Sequence, residues 1–380
     1  MMWKKYILPH LPFLISLLLL GILIVIPTGY EDAVIYQGTD RCRAEVLSTN
    51  DTNVISSGLI RSGEQDCRVK LLGGRFKGQE TDAYNLLSGS LESDKIYAVG
   101  DVALVVISYQ DDEILSVNMI DHYRLDKEAI LMGIFSVVLL LFAKGIGFRS
   151  LISFAISVLS IWKILVPMCL NGANPVLLGI GMITMLTVVI ISLVYGYDRR
   201  FLAATAGVLL GVVTTCILGI IFTDLFKIHG AIMAYSESLL YAGYAHLNLT
   251  QIFMASIFIG ASGAIMDIAV DITSAVYEVV EKKPDIGCIE AVMSGIHVGR
   301  AAMGTMTTTL LLAYSGGYLA LLMVFMAQGT PISNILNYKY VSSEILHTIV
   351  GSFGLIAVAP FTALMSGVLL TKKKREERNA

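Results

Sequence analysis

The stretch that decides the fold is Gly260–Glu278, GASGAIMDIAVDITSAVYE, in which two acids interrupt an apolar run. The run extends over about residues 252–280, longer than the roughly 20 residues a helix needs to cross a bilayer. Asp267 and Asp271 are four residues apart, so a helix presents both carboxylates on one face, about 5–6 Å apart. Because a charged side chain in hydrocarbon costs at least about 2.5 kcal/mol, such acids usually face a protein interior or a water path. The pattern predicts a functional acidic helix; the alternative is that both acids lie near the cytoplasmic edge and are merely solvated.

Small and polar residues accompany the two acids. Three small residues lie one and two turns earlier: Gly260, Gly263 and Ala264. Their size predicts close packing with a second helix. The next apolar run opens with threonines, of which three are candidates to line a polar path: Thr305, Thr308 and Thr309. The alternative is that these hydroxyls return hydrogen bonds to their own helix backbone.

The composition is that of a polytopic membrane protein. Of the 380 residues, 55% are hydrophobic and 15% charged, and the mean hydropathy is +0.72. This is too apolar for an ordinary soluble domain. No basic stripe interleaved with aromatics suggests nucleic acid, and the five cysteines form no CxxC pair, so no metal site and no cofactor are expected.

Residues 1–30 are predicted to form an uncleaved first transmembrane helix, in which Lys4 and Lys5 come before the apolar run. Residues 31–126 are less hydrophobic, with short alternating runs between glycines, which predicts a small extracytoplasmic β-barrel or sandwich. Cys42 and Cys67 lie within it. Outside the cytoplasm they could form a disulfide bridging two strands; the alternative is two buried free thiols.

The remaining apolar runs predict a seven-helix membrane domain over residues 127–371. They lie at about 129–144, 150–168, 174–197, 201–224, 250–280, 301–326 and 346–371. If every run crosses once, the basic clusters all fall on one side, including the tail at 372–380. The sequence therefore predicts eight crossings with both termini in the cytoplasm. Residues 285–300 are predicted to form an amphipathic helix on the cytoplasmic face, because Ile286, Ile289, Met293 and Ile296 recur at three- and four-residue steps.

Two further charged residues lie in or beside the predicted helices. Lys163 lies about two-thirds of the way outward in the third helix, where it either pairs with an acid or extends its amine to the interface. Glu344 precedes the last apolar run, and His347 follows one turn later. Lys163 and Glu344 join the acids and threonines as candidates for a proton relay.

Several of these stretches resemble the YibE/F family of bacterial membrane proteins. Gly263–Ser274 reads GAIMDIAVDITS, Met303–Tyr314 reads MGTMTTTLLLAY, and Ala359–Ala363 reads APFTA. Thr308 departs from the pattern, which has asparagine there. The resemblance implies the architecture and a bacterial plasma-membrane location, whereas the activity of the family is not established. The order of elements is also similar to that of the SecF half of the protein-translocation motor and of the resistance-nodulation-division exporters, which use intramembrane acids for proton flow.

Two functions are consistent with these features. The first is a proton-coupled permease or exporter of a small molecule or peptide, in which one of two close carboxylates loads and releases protons. The second is a non-transporting assembly factor whose small domain binds a partner. Either protein would lie in the lipid bilayer, alone, as a homo-oligomer or with a membrane partner. No nucleophile–base pair or metal cluster is present in the sequence, so an enzyme is not expected.

Overall fold

The structure is a computed structural model that describes residues 10–31 and 38–379, with the side chains of 373–379 excepted. Lys4 and Lys5 lie outside the described residues, and the side chains of the basic tail after Lys372 lie outside the described side chains. The chain forms two compact units, Glu31–Phe142 and the combination of Met1–Tyr30 with Ala143–Ala380. Each unit is considered by itself.

The first unit contains a five-stranded barrel, which confirms the predicted small β domain. The strands are β1 Thr39–Asn50, β2 Val54–Ser57, β3 Ile60–Leu71, β4 Glu80–Ser88, β5 Val102–Gln110 and β6 Glu113–His122. Neighbouring strands run in the order β1-β5-β6-β4-β3, and β3 pairs back onto β1 to close the ring. The short strand β2 pairs only with β3, as a hairpin outside the ring.

The barrel has the Greek-key strand order of an OB fold. Counting only the ring strands along the chain, the order is 1-2-3-5-4-1, with the third and fifth strands parallel. Strand β1 pairs with both β5 and β3, and a bulge between Val46 and Ser48 bends it around the ring. Alternate side chains of β1 point inward, so Ala44 and Val46 are almost fully buried in the core.

The predicted disulfide between Cys42 and Cys67 is wrong. Cys67 pairs across the ladder with Thr49, seven residues along β1 from Cys42, so about 20 Å of strand lies between Cys42 and the residue opposite Cys67. A disulfide needs Cα atoms within about 7 Å. Both are free thiols in the barrel core, and burial raises the pKa of Cys42 and raises that of Cys67 to about 11.

The rest of the described chain is helical. The α-helices are α1 Leu11–Val25, α2 Leu125–Ser160, α3 Val166–Leu170, α4 Pro175–Tyr195, α5 Arg199–Leu225, α6 Ser236–Tyr241, α7 Leu249–Lys282, α8 Cys288–Ser315, α9 Leu319–Ala327, α10 Ile332–Asn337 and α11 Lys339–Asn379. A π-helical turn, Ile161–Leu165, joins α2 to α3, and a 3₁₀ turn, Gly316–Tyr318, joins α8 to α9.

Among the described residues, six helical stretches are long and apolar enough to cross a membrane. They are Leu125–Leu170, Pro175–Tyr195, Arg199–Leu225, Leu249–Lys282, Cys288–Ala327 and Lys339–Lys372. The membrane class is confirmed, whereas the predicted count of eight is not. The 15-residue helix α1 is shorter than these, and Lys144, at φ 48 and ψ −123, interrupts the 46-residue stretch Leu125–Leu170. Two crossings in that stretch, with α1 as a further one, would give eight.

Helix α7 is the centre of the second unit. It packs against α4, α5, α8 and α11, and its residues Ile265, Ile268 and Ile272 have no exposed surface. Glycines let the neighbours approach: a Cβ added at Gly211 of α5 would lie 3.2 Å from Ile265, and one at Gly354 of α11 would lie 2.8 Å from it. The acidic stretch is therefore held by close helix packing.

The predicted amphipathic segment at 285–300 is not a separate helix, because most of it is the first part of the continuous helix α8. Its buried face consists of small residues: a Cβ added at Gly295 would lie 2.8 Å from Val276 of α7 and 2.9 Å from Ala363 of α11. Ile289, in the predicted apolar stripe, is 81% exposed. Small residues face the protein here because they allow backbones to approach, so Ile289 and Met293 of the predicted stripe are exposed. Ile286 is buried and Ile296 packs against the core.

Candidate functional site: an open polar face on helix α7

The two aspartates lie on one exposed face of α7. The helix begins after Asn248, whose side chain accepts a hydrogen bond from the Gln251 amide. Its exposed residues include Gly260, Gly263, Asp267 and Asp271, spaced by three, four and four positions. Such spacing follows a single line along a helix, and the two acids are about 6 Å apart along the axis. The aspartates therefore share the side of α7 that the bundle leaves open.

Helix α4 borders one side of this face. The Tyr195 hydroxyl donates a 2.7 Å hydrogen bond to the Val270 carbonyl and lies 2.7 Å from Ser274 Oγ. Tyr195 also stacks beneath Arg200, whose guanidinium carbon is 5.1 Å from its ring centre. These contacts fix the border beside Asp271 and place a cation near the Lys282 end of the face.

Helix α8 borders the other side and runs antiparallel to α7. A Cβ added at Gly299 would lie 3.0 Å from Ile272, near the Lys282 end. Near the other end, the Tyr314 hydroxyl lies against Gly260. Gly260 therefore meets another helix closely, as predicted from its size, whereas Gly263 has nothing within 4 Å. Ala264 is half-buried against the core.

The predicted threonines are not gathered around the acids. Thr305 donates to the Ala302 carbonyl and Thr309 to the Thr305 carbonyl, each at 3.1 Å, and both are exposed, as is Thr308. Back-bonding of this kind is the alternative stated for them. Their phase around α8 turns them away from the Tyr314 side of the helix.

Thr307 lies on the Tyr314 side of α8, and its hydroxyl donates a 3.0 Å hydrogen bond to the Met303 carbonyl of its own helix. It is half-buried and lies seven residues, or two turns, before Tyr314, so both lie on one face of α8. Asp267 lies seven residues after Gly260, which contacts Tyr314. Because the two helices are antiparallel, moving seven residues back from Tyr314 on α8 and seven residues forward from Gly260 on α7 goes in the same direction. Thr307 therefore lies level with Asp267. Both seven-residue spacings can be seen in the sequence. They place Thr307 level with Asp267 only because Tyr314 contacts Gly260, and the sequence does not reveal that contact.

A second polar cluster lies on the same face, nearer Leu249. His347 of α11 approaches Ser256 of α7, with Nε2 at 3.2 Å from the Ser256 carbonyl, and its ring centre is 4.5 Å from that of Tyr314. Tyr318 hydrogen-bonds the Glu344 carboxylate. Oε1 of Glu344 is buried without a hydrogen-bond partner. Glu344 therefore lies with Tyr318 and Tyr314, three residues from His347 on α11. His347 belongs to this cluster although the sequence analysis did not make it a candidate.

Lys163 lies outside this face. Its amine donates a 3.0 Å hydrogen bond to the carbonyl of Ile26, the residue that caps the C-terminal end of α1. Among the described side chains, no acid lies within ion-pair distance of it. Because the last carbonyls of a helix carry partial negative charge, the lysine has a structural partner there. This partner favours a structural role for Lys163, and the suggestion that it belongs to the proton relay stays a prediction.

The described residues contain no group of three or more histidine, cysteine, aspartate or glutamate side chains that could hold a metal ion. The chemistry available to the face is proton binding and hydrogen bonding by carboxylate, imidazole, phenol and hydroxyl groups. Two carboxylates one turn apart, open to one side of a membrane-type helix, need water or a polar partner to remain there.

The comparison with protein families gives a match to the YibE/F-like proteins over residues 131–372, most of the chain and all of the face described above. The chain belongs to the YibE/F family. Searches among curated proteins and among solved structures gave no match. Membership agrees with the resemblance read from Gly263–Ser274 and Met303–Tyr314. It brings no activity with it, so the function must be argued from the site.

Proposed function

We propose that this YibE/F protein is a proton-coupled membrane transporter in which Asp267 and Asp271 carry the coupling proton. The observation that supports the proposal is that both carboxylates lie on one open face of α7, between α4 and α8. An exposed carboxylate in the hydrocarbon region costs about 2.5–3.5 kcal/mol. Two such carboxylates on one line of the helix offer a path that water and protons can follow.

The two acids form a pair that titrates as a unit. They are one turn apart, and two negative charges at that spacing in a poorly solvated site repel each other. A single shared proton relieves the repulsion, so the pair can be loaded from one side and unloaded on the other. Thr307 lies level with Asp267, and its hydroxyl oxygen, which donates to the Met303 carbonyl, keeps lone pairs that can accept a hydrogen bond in this transfer.

The proposal assigns the protein to the plasma membrane of a bacterium, with both termini in the cytoplasm and eight crossings. Its cargo is a small molecule or peptide. No enzymatic step is assigned to the face, because carboxylates, tyrosines and a threonine supply proton transfer without a nucleophile–base pair.

Proton movement through purified protein tests the proposal. The protein is reconstituted into liposomes that contain a pH-sensitive dye, and an acid jump is applied outside. We expect wild-type liposomes to acidify faster than empty ones, and Asp267→Asn liposomes to match empty ones. Glu237→Gln is the matched control, since Glu237 is an exposed carboxylate on the short helix α6. Equal rates for wild-type and empty liposomes would remove the transporter.

A second function, that of an assembly factor, is supported by an apolar tip on the barrel. Leu59 in the β2–β3 turn is 84% exposed, Ile55 of β2 is 70% exposed, and Leu91 is 67% exposed. Exposed apolar side chains grouped on a hairpin are typical of partner surfaces. The two functions can be separated by asking which variants restore growth to a strain that lacks the protein and grows poorly without it. If this function holds, Leu59→Ser fails to restore growth while Asp267→Asn restores it. The transporter predicts the reverse.

A further inference from the structure

The cluster around His347 lies in line with the acids but is not explained by them. Gly260, which contacts Tyr314 and lies near His347 Nε2, precedes Asp267 by seven residues, or about 10.5 Å along α7. Seven residues are nearly two full turns, so the cluster and Asp267 lie on the same side of the helix. The cluster therefore lies over the Leu249 half of the face, and the acids over the Lys282 half.

The cluster contains two groups that can take up a proton. The Ser256 carbonyl can only accept a hydrogen bond, so Nε2 of His347 carries the hydrogen and Nδ1 is left as the basic nitrogen. Oε1 of Glu344 is buried and has no hydrogen-bond partner, although Tyr318 bonds the same carboxylate. Burial without a hydrogen-bond donor disfavours the charged form of a carboxylate, and taking up a proton removes that charge.

The groups that face Glu344 and His347 come from several elements. Helix α7 contributes the uncharged Phe253, Ser256 and Gly260, α8 contributes Tyr314, and the 3₁₀ turn contributes Tyr318. Helix α5 meets this part of α11 through apolar and threonine side chains. Before Glu344 in the sequence of α11, the charged residue is Lys339, five positions earlier, and its amine lies 3.4 Å from His229 Nε2. The cluster thus holds one acid and one imidazole between two phenols.

We propose that Glu344 and His347, together with Tyr314 and Tyr318, form a second proton-binding site that loads Asp267 from the extracytoplasmic end of the helix bundle. The inference rests on the proposed function, since it supplies the entrance for the same proton. The predicted topology places the Leu249 end of α7 outside, where this site meets water before the acids do.

The step from this site to Asp267 passes along α8. Thr307 lies two turns below Tyr314 and level with Asp267, and its hydroxyl, which donates to the Met303 carbonyl, can accept a hydrogen bond from water near the far end of the 10.5 Å interval. Gly263 lies between the two sites on α7, and a Cβ added there would meet nothing within 4 Å. Water in that open space would complete a chain from imidazole and carboxyl to Asp267.

Carbodiimide labelling tests proton binding without requiring transport. A hydrophobic carbodiimide reacts with protonated carboxyl groups, and mass spectrometry of digested protein reports each acid separately. Between about pH 5 and 8 we expect label on Glu344 as well as on Asp267, with the Glu344 label lost in Glu344→Gln and the Asp267 label retained. Tyr318→Phe changes the pH at which Glu344 labels, which a merely structural acid would not show. Absence of label on Glu344 throughout that range overturns the second site.

Proton flux in liposomes then tests the connection between the sites. We expect Glu344→Gln and His347→Gln each to slow flux at least about tenfold, because a positioned proton-transfer group contributes about 10²–10⁴ in rate. Both variants are compared with Glu237→Gln at equal thermal stability. Wild-type flux with less than about a twofold loss in both variants overturns the second site and leaves the acidic pair standing. Absence of wild-type flux overturns both proposals.

Discussion

The hydroxyl of Tyr314 lies against Gly260, in the space that a side chain at residue 260 would occupy. This contact sets the register of α8 on α7 and brings the His347 ring, 4.5 Å from that of Tyr314, onto the same face. Gly260 is therefore needed because a larger residue would collide with the Tyr314 hydroxyl. Its absence of a side chain lets two polar clusters share one helix face.

Replacing Gly260 with leucine is expected to lower the melting temperature and displace Tyr314. Overpacking a filled site typically costs about 1–3 kcal/mol, and the neighbours here are an aromatic ring and an imidazole. Gly263→Leu is the matched control, since nothing lies within 4 Å of a Cβ at that position and about 0.5 kcal/mol or less is expected. Thermal unfolding in detergent measures both. Equal losses in the two variants would contradict the close packing.

Much of the architecture could be predicted from local pattern. Alternation of large and polar residues between glycines marked the barrel strands, because side chains of a strand alternate between core and solvent. Likewise, a spacing of four placed Asp267 and Asp271 on one face, because a helix repeats every 3.6 residues. Both features depend only on residues close in the sequence, so both can be recognised from the sequence alone.

The errors arose where distant segments meet. Cys42 and Cys67 both lie in the barrel core, but only the pairing register of β1 with β3 shows how far apart they are. Thr307 was passed over for its neighbours because the phase of α8 against α7 depends on the Tyr314–Gly260 contact. Register and phase are set by tertiary packing, which a single sequence does not display.

The two aspartates are expected to differ in importance. In the proposed topology Asp267, fifteen residues beyond Ile252, lies about 22 Å into the helix and past the bilayer centre, while Asp271 is one turn nearer the cytoplasm. Asp267→Asn keeps size and polarity but removes the titrating proton, so the variant should fold, insert and lose activity. Asp271→Asn should do less harm. Expression, detergent stability and proton flux, compared side by side, check this, and a fully active Asp267→Asn protein would end the relay mechanism.

The orientation of the chain can be tested by thiol labelling. In a chain without native cysteines, a cysteine at Leu59 in the barrel should react with a membrane-impermeant reagent in intact cells, whereas one at Lys144 should react only after permeabilisation. Eight crossings require this difference, because Lys144 then lies in a cytoplasmic turn between two helices. Labelling of Lys144→Cys from outside would mean that Leu125–Leu170 does not cross twice.

The barrel thiols are expected to be free and slow to react. Because burial raises the pKa of Cys67 to about 11, only about one thiol in a thousand is ionised near pH 8, and the thiolate is the reactive form. Folded protein should therefore alkylate at Cys67 far more slowly than unfolded protein, and raising the pH towards the pKa should speed the reaction. Denatured, unreduced protein should give five reactive thiols. A count of three would restore the disulfide.

The last prediction concerns Lys163, which the structure separates from the proton path. Its amine donates to the Ile26 carbonyl at the end of α1, so Lys163→Met removes a charged hydrogen bond from a helix terminus. Such a bond contributes about 1–2 kcal/mol, and its loss should loosen α1 from the bundle and lower the melting temperature. Proton flux measured below the melting temperature should stay at the wild-type level, because Asp267 and Asp271 keep their surroundings. Lys227→Met is the control, since Lys227 is 83% exposed and lies 3.9 Å from Asp224, an ion pair that contributes little. A Lys163→Met protein with unchanged melting temperature and abolished flux would return this lysine to the relay and remove its role in capping α1.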